Sequence, residues 1–496
     1  IPAIGKFALP KTICMSNQTK TSSLATLISV FFFWGFVAAS NSVLLSLFKE
    51  HFHLSQWRGQ LVEFAFYISY TVGALIYFVI SVTSGDPLNK IGYKKGLILG
   101  LCVSAVGALG FIPATTFESY ALMLTSLFVV GLGFALQQIV ANPYMIALGD
   151  PSTGAHRVSL AGGVNSLGTT IGPLLLGFAL YGGLKEVKVG IEVVKMPYLV
   201  LAGMLFLCAF ILSVSKLPAI TNNEKMEHDL KAFQFPQLVW GMLAIFVYVG
   251  VEVSVQSNLP ALMERPEILG LDHTKTVHFI SLYWGSLMIG RWVGALTVFN
   301  LSKRTRQLFT VLVPLIAFAV VVGVNFIKLN AEGTPERIFD LVYYLPMVLI
   351  VVAGFFLANE KPARTMTLFG TMAAIMMLIG LFTTGKIALY SFISGGLFCS
   401  VMWPCIFSLS IAGLGKYTAQ GSSLLIMMIA GGAVIPILQG RICDIKSEAI
   451  LGMSWTHLSY IIPVICFAFL AFYGWKVKSI LKEQGIDYDS QAGVAH

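Results

Sequence analysis

Residues 143–177 read PYMIALGDPSTGAHRVSLAGGVNSLGTTIGPLLLG, and residues 404–440 read PCIFSLSIAGLGKYTAQGSSLLIMMIAGGAVIPILQG. Each begins at a helix end, passes a Leu-Gly turn, and runs through a Gly-rich helix to a Pro four residues before its last Gly. In that register Pro173 matches Pro436 and Gly168 matches Gly431. Both segments reach the same side of a membrane and return, so the repeat is parallel. The reading is two related halves about an axis normal to the bilayer. Gly-rich helices also resemble one another by chance, so the rest of the chain has to agree.

The composition does agree. Of 496 residues, 56% are hydrophobic and 11% charged, whereas soluble domains carry about 25% charged residues. A soluble core of this size would leave far too much apolar area in water. This excludes a soluble enzyme, a disordered chain and a nucleic-acid binder. The 47 Gly and 36 Phe suit helices packed closely in lipid, where small residues let backbones approach. Seven cysteines show no CxxC pair, so no disulfide framework, metal site or cofactor is expected. No secretory signal is read in residues 1–22.

A span needs about 20 mostly apolar residues. Candidates lie at 23–48, 60–83, 94–113, 119–148, 157–181 and 196–216, then at 236–262, 275–299, 307–327, 341–358, 365–382, 385–410, 420–441 and 456–479. These predict an all-α polytopic membrane protein with fourteen transmembrane helices. The predicted organisation is a cytoplasmic segment 1–22, a six-helix half 23–216, a polar linker 217–235, a second half 236–481 and a tail 482–496. Lys and Arg favour cytoplasmic loops. Lys90/Lys94/Lys95, Lys303/Arg304/Arg306 and Lys476/Lys478/Lys482 all fall inside if the N-terminus does, which predicts both termini cytoplasmic. The net charge of +9 is then a topology signal and not a nucleic-acid patch.

Several stretches carry a resemblance: Phe33-Trp34-Gly35-Phe36, Ala65-Phe66-Tyr67-Ile68-Ser69-Tyr70, Ala141-Asn142-Pro143-Tyr144, Tyr248-Val249-Gly250, Ile289-Gly290-Arg291, Pro404-Cys405-Ile406-Phe407-Ser408-Leu409 and Gly421-Ser422-Ser423. In order, from about Phe31 to Asp444, the chain resembles the fucose–proton symporter family. That family belongs to the major facilitator superfamily and includes glucose/galactose and N-acetylglucosamine permeases. The resemblance implies a major facilitator fold of two six-helix halves. Family members usually have twelve helices, so 307–358 reads as an inserted hairpin and 365–382 as the true ninth helix, although its neighbour could hold that role. The loop Gly85-Asp86…Lys94-Lys95 resembles the superfamily's loop between helices two and three, which makes Asp86 a cytoplasmic gating residue.

A charge at mid-membrane costs on the order of 2.5–3.5 kcal/mol on insertion scales, so each one needs a reason. Glu63 and Glu252 are the acidic residues well inside apolar stretches, and Arg291 is the basic one. Glu252 and Gln256 are four apart and share a helix face. A carboxyl there can load a proton, help bind Na⁺, or pair structurally with another helix; it is read as cation-coupling. Glu63 is near the outer end of its helix, where gating is as reasonable as coupling. Arg291 lies nearer the cytoplasmic end and can snorkel; gating or a structural contact between halves suits it.

The resemblance family's proton carboxylates are an Asp in helix one and a Glu in helix four. Here those positions hold Ser42 and Gln138, neither of which titrates, so coupling is reassigned to Glu252. Asn41, Ser42, Gln138, Asn142, Asn165 and Gln256 offer donors and acceptors to sugar hydroxyls, and Trp34, Tyr67, Trp284 and Trp403 offer flat faces to a pyranose ring. Each aromatic taken singly suits packing equally well; the polar-plus-aromatic set points to a small polyhydroxylated ligand. No nucleotide-binding loop or nucleophile–base set is found. The expectation is a non-enzymatic, monomeric secondary transporter of the inner membrane, importing a hexose or deoxyhexose by H⁺ or Na⁺ symport. An uncoupled facilitator and a transporter-like sugar sensor are the alternatives, with a lipid or drug exporter behind them.

Overall fold

The structure, a computed structural model, describes residues 21–84, 87–147, 154–181, 190–215, 217, 231–272, 276–294, 296, 301–331, 333–359, 361–414, 418–445 and 452–486. Nearly all of its regular structure is helix. The predicted segments 1–22 and 217–235 and the tail 482–496 lie largely outside those residues.

α1 (Thr21–His51) is built on the aromatic run Phe31–Phe36. A one-turn α2 (Gln56–Gly59) leads into α3 (Leu61–Ser84). α4 (Pro87–Leu109) bends at Gly92, whose φ of 77° is a conformation glycine adopts without a Cβ clash. α5 (Phe111–Thr116), α6 (Tyr120–Ala147), α7 (Gly154–Tyr181) and α8 (Lys195–Val214) follow. α9 (Pro236–Met263) opens with proline in its first turn, where a missing N–H breaks no helical bond. Next come α10 (Val277–Gly294), α11 (Lys303–Ala331), α12 (Ile338–Val342), α13 (Leu345–Ala358) and α14 (Pro362–Phe382). The last three predicted spans are broken helices: α15 (Gly385–Ile393), α16 (Gly395–Cys399) and α17 (Met402–Ile411); α18 (Thr418–Met427) and α19 (Gly431–Cys443); and α20 (Trp455–Leu458) with α21 (Ile461–Glu483).

Outward faces carry Leu207, Phe210, Ile327, Leu357, Phe382 and Ile465, an apolar surface suited to hydrocarbon. By length and apolarity the described helices give twelve candidate spans, not the fourteen expected. The two predicted spans outside that set are 157–181 and 275–299, which form α7 and α10. Both are rich in Gly, Ser and other polar residues, and they pack against each other. α10 is buried from Val277 to Gly290. A helix enclosed by protein, as α10 is, does not need to be apolar all round; α7 keeps Leu160, Leu175 and Phe178 exposed and owes its lower apolarity to polar residues such as Asn165 and Ser166 where it meets α1 and α10.

The repeat has a packing counterpart. α1 lies along α7, and α9 along α19. A Cβ at Gly168 on α7 would collide with the Phe32 carbonyl oxygen of α1, and one at Gly431 on α19 with the Phe246 carbonyl oxygen of α9. The two glycines matched in sequence thus make the same backbone approach in each half. α4 packs on α8 as α14 packs on α21. The hairpin of α11 and α12–α13 packs beside α10: Asn325 Nδ2 donates to Ser281 Oγ (3.2 Å), and the Ser286 and Tyr344 hydroxyls are 3.0 Å apart.

Candidate functional site

α9 is the spine of the site. Tyr248, Glu252 and Gln256 follow one another at four-residue spacing and so face the same way, and all three are buried. Two turns separate Trp284 from Arg291 on α10, which places both on one face. α7 contributes Asn165 and Ser166, α3 contributes Glu63 and Tyr67, and α17 contributes Trp403.

Arg291 joins the two halves. Its Nη2 lies 3.2 Å from Glu252 Oε1, and its Nη1 donates to Asn165 Oδ1 (3.3 Å) and Ser166 Oγ (3.1 Å). Asn165 is fixed in turn, because its Nδ2 donates to the Phe31 carbonyl of α1 (2.9 Å). Tyr283 donates to the Glu252 main-chain carbonyl (2.7 Å). The ion pair is mostly enclosed, with side-chain exposures of 21% for Arg291 and 11% for Glu252. Opposite charges in such a place are tolerated only when paired and hydrogen-bonded, and here the guanidinium has three partners.

Glu63 lies one step further along. It is fully buried, and its Oε1 accepts from Gln256 Nε2 (3.1 Å), again across the two halves. Tyr67 stands among Glu63, Glu252 and Tyr248 and packs on Gly432 of α19. Trp403 is half-buried and meets the Tyr248 ring at 6.1 Å between centroids.

Beyond this site, one end of the bundle is clasped shut. Both oxygens of Asp444 accept main-chain N–H groups of α2, from Gln56 (2.8 Å) and Trp57 (2.8 Å). The Arg441 guanidinium covers the Trp57 ring at 4.0 Å. Gln56 and Gln60 both donate to Asn258 Oδ1, at 3.0 and 3.1 Å. Ser254 bonds Gln439, Gln439 donates to Ser459 (3.2 Å), and Cys443 Sγ lies 3.4 Å from the same hydroxyl. In the loop after α9, burial works against the Glu267 charge, but hydrogen bonds from Ser454 outweigh it and hold the carboxyl below its usual range. One of those bonds is the Ser454 N–H to Glu267 Oε1 (2.9 Å).

Of the residues expected from sequence, Glu252, Arg291, Asn165, Gln256, Glu63, Tyr67 and Trp403 are brought together. Trp284 is buried on α10 with an indole N–H that meets no acceptor. Trp34 is placed elsewhere: its N–H donates to Gln137 (2.9 Å), whose Nε2 donates to Ser104 (3.0 Å), a chain internal to the first half. Gln138 pairs with Tyr70. The side chains of Asn41, Ser42 and Asn142, and all of Asp86, lie outside the described residues. Sequence reasoning missed Tyr248, Ser166, Asn258 and Asp444. Tyr248 was detectable from its position four residues before Glu252.

A family profile described as Major Facilitator Superfamily matches residues 26–359. This chain belongs to the Major Facilitator Superfamily. Within the superfamily it is similar to a glucose/galactose transporter of Brucella abortus biovar 1 (strain 9-941), at 33% identity over 92% of this chain and 96% of that one. It is also similar to the L-fucose-proton symporter of Escherichia coli (strain K12), at 25% identity over 90% of each chain. Among solved structures, the superfamily transporter FucP in its outward conformation matches with a TM-score of 0.61 at 23% identity, covering 92% of this chain and 98% of that one. At that identity the structural match speaks for the fold alone.

Proposed function

We propose that this superfamily member is a secondary transporter that carries a monosaccharide, a hexose or deoxyhexose, across a bacterial inner membrane by cation symport, with both termini cytoplasmic. The observation that carries the reading is Arg291, which ties Glu252 of the second half to Asn165 and Ser166 of the first. A carboxyl that gains a proton no longer holds a guanidinium as an ion pair. Protonation of Glu252 therefore changes how firmly the halves are joined, which is what a coupled carrier with alternating access requires. Relatives named for glucose, galactose and L-fucose support a sugar as cargo, and one named as a proton symporter supports H⁺ as the coupling ion. Gln256, Tyr67, Trp284 and Trp403 are the sugar-facing candidates, and Glu63 is a second acidic group on the path.

One cation moving down 100 mV releases about 2.3 kcal/mol, enough for roughly 50-fold accumulation. Proteoliposomes given a labelled hexose panel, with proton and sodium gradients imposed separately, test the reading. Accumulation with one cation identifies the coupling ion, and in Glu252→Gln it is lost while sugar exchange persists. Equilibration without accumulation in the unaltered protein would make it a facilitator, the reading favoured by Ser42 and Gln138. No hexose movement at all would remove the sugar.

A further inference from the structure

Tyr248 lies one helical turn before Glu252 on α9, on the same face, and is buried at the centre of the molecule. Its ring meets Trp403 of α17, and Trp403 stacks in turn on Phe407. So placed, the hydroxyl is within hydrogen-bonding reach of both the Glu252 carboxyl and the Arg291 guanidinium. Other buried tyrosines close by use their hydroxyls differently. Tyr283 donates to the Glu252 main-chain carbonyl (2.7 Å) and Tyr460 to that of Val255 (3.0 Å). Those bonds tie helices together and do not touch a charged side chain. Phenylalanine would keep the Tyr248 ring and its Trp403 contact, so what the hydroxyl adds is its place against the two charges.

A phenol donates one hydrogen bond and can accept at the same time, whereas a carboxylate only accepts and a guanidinium only donates. The hydroxyl therefore fits between them in one sense, from Arg291 N–H to the phenol oxygen and from the phenol O–H to Glu252. Hydrogen bonds to ionised groups are the strong ones, and this arrangement suits an ionised Glu252. We infer that Tyr248 is a positioning residue of the coupling carboxyl: its hydroxyl braces Glu252 and Arg291 in their charged forms and so sets the pH at which the carrier takes up its proton. The inference rests on the reading of Glu252 as the coupling group and adds to it the residue that tunes it. Tyr248, Glu252 and Arg291 all belong to the second half, while Asn165 and Ser166 belong to the first. The brace therefore travels with Glu252 when the halves rock. Among the described residues, the other titratable groups around Glu252 are Tyr283 on α10, Tyr67 on α3 with Glu63 beyond it, and Cys399 on α16.

Counterflow of a labelled hexose in proteoliposomes, with equal pH on both sides, reads proton loading without a driving force. Losing a donor to the ionised carboxyl favours its protonated form. In Tyr248→Phe the pH of half-maximal counterflow should therefore rise by about one unit, a roughly tenfold lower proton concentration. The groups named above remain in that variant and do not produce the shift. In a Glu252→Gln background, adding Tyr248→Phe should produce no shift, because the braced carboxyl is gone. Replacing Tyr248 with 3-fluorotyrosine, a more acidic phenol, strengthens the donation and should move the midpoint to lower pH. That protein keeps the hydroxyl, so it decides the question if Tyr248→Phe does not fold. Three results would overturn the assignment: an unchanged midpoint in either replacement, the same fractional loss at every pH, or a shift that persists without Glu252. If counterflow in the unaltered protein does not depend on pH, the proton-coupling reading fails and this inference with it, a result distinct from a failure confined to the variants.

Discussion

Arg291 is a cation that three acceptors hold in place, and its removal has a predictable asymmetry. Arg291→Gln leaves Glu252 buried without its counter-charge, and breaking such a pair costs about 3–5 kcal/mol. Glu252→Gln/Arg291→Gln removes both charges and should recover most of the lost thermal stability, as read by melting in detergent, while remaining unable to accumulate substrate. Trp34 makes the opposite kind of prediction. Its indole is committed to Gln137, so Trp34→Phe should lower stability by about 1 kcal/mol and leave sugar affinity unchanged; a large affinity loss would return it to the binding site. Charges inside apolar runs were visible in the sequence because the bilayer makes them costly wherever they stand. Their partners were not visible, because Asn165 lies 126 residues from Arg291 and Gln137 lies 103 from Trp34, separations over which no local pattern operates. The one-position difference between Gln137 and Gln138 is enough to turn a side chain from the Trp34 chain to Tyr70.

At the scale of elements, the glycine pair is the sharpest case. Gly168→Ala and Gly431→Ala each push a methyl into a neighbouring backbone carbonyl and should each cost about 1–3 kcal/mol. Gly162→Ala on the same helix α7 meets nothing within 4 Å and should be neutral or slightly stabilising. Melting temperatures of the three variants check this; equal losses would mean that helix identity matters and close approach does not. The repeat was legible because close approach demands glycine at matched places in both halves. α10 behaves differently from the other spans because protein encloses it, and apolarity then stops being the signal; α7 keeps an apolar outer face at Leu160, Leu175 and Phe178 but turns polar residues to α1 and α10. Loop chemistry offers a pH test. Glu267 is held below its ordinary pKa, so its contribution is present above about pH 4.3 and fades as pH falls through the lowered native value. Glu267→Gln should flatten the acid side of the stability profile between about pH 5 and 3.

For the whole molecule, what matters is that two halves are joined at several separate depths: Arg291 to Asn165, Gln256 to Glu63, and the clasp of Asp444 and Asn258 on α2 and the Gln60 that follows it. A rocking carrier has to break the clasp to open that end. Asp444→Ala and Asn258→Ala should shift the population toward the opened form, raising the rate at which a charged, impermeant thiol reagent reacts from that side; an unchanged rate would mean that the clasp does not hold the end shut. The reagent already has a target. Cys443 is a native thiol set inside the clasp, 9% exposed and in contact with Ser459 and Asn258. Its alkylation is possible only while the end stands open, so the protein carries its own stopwatch. The labelling rate of Cys443, read at that residue by mass spectrometry because Cys102 and Cys405 are also partly exposed, and divided by that of a freely exposed thiol, gives the time-averaged fraction spent open without any introduced probe.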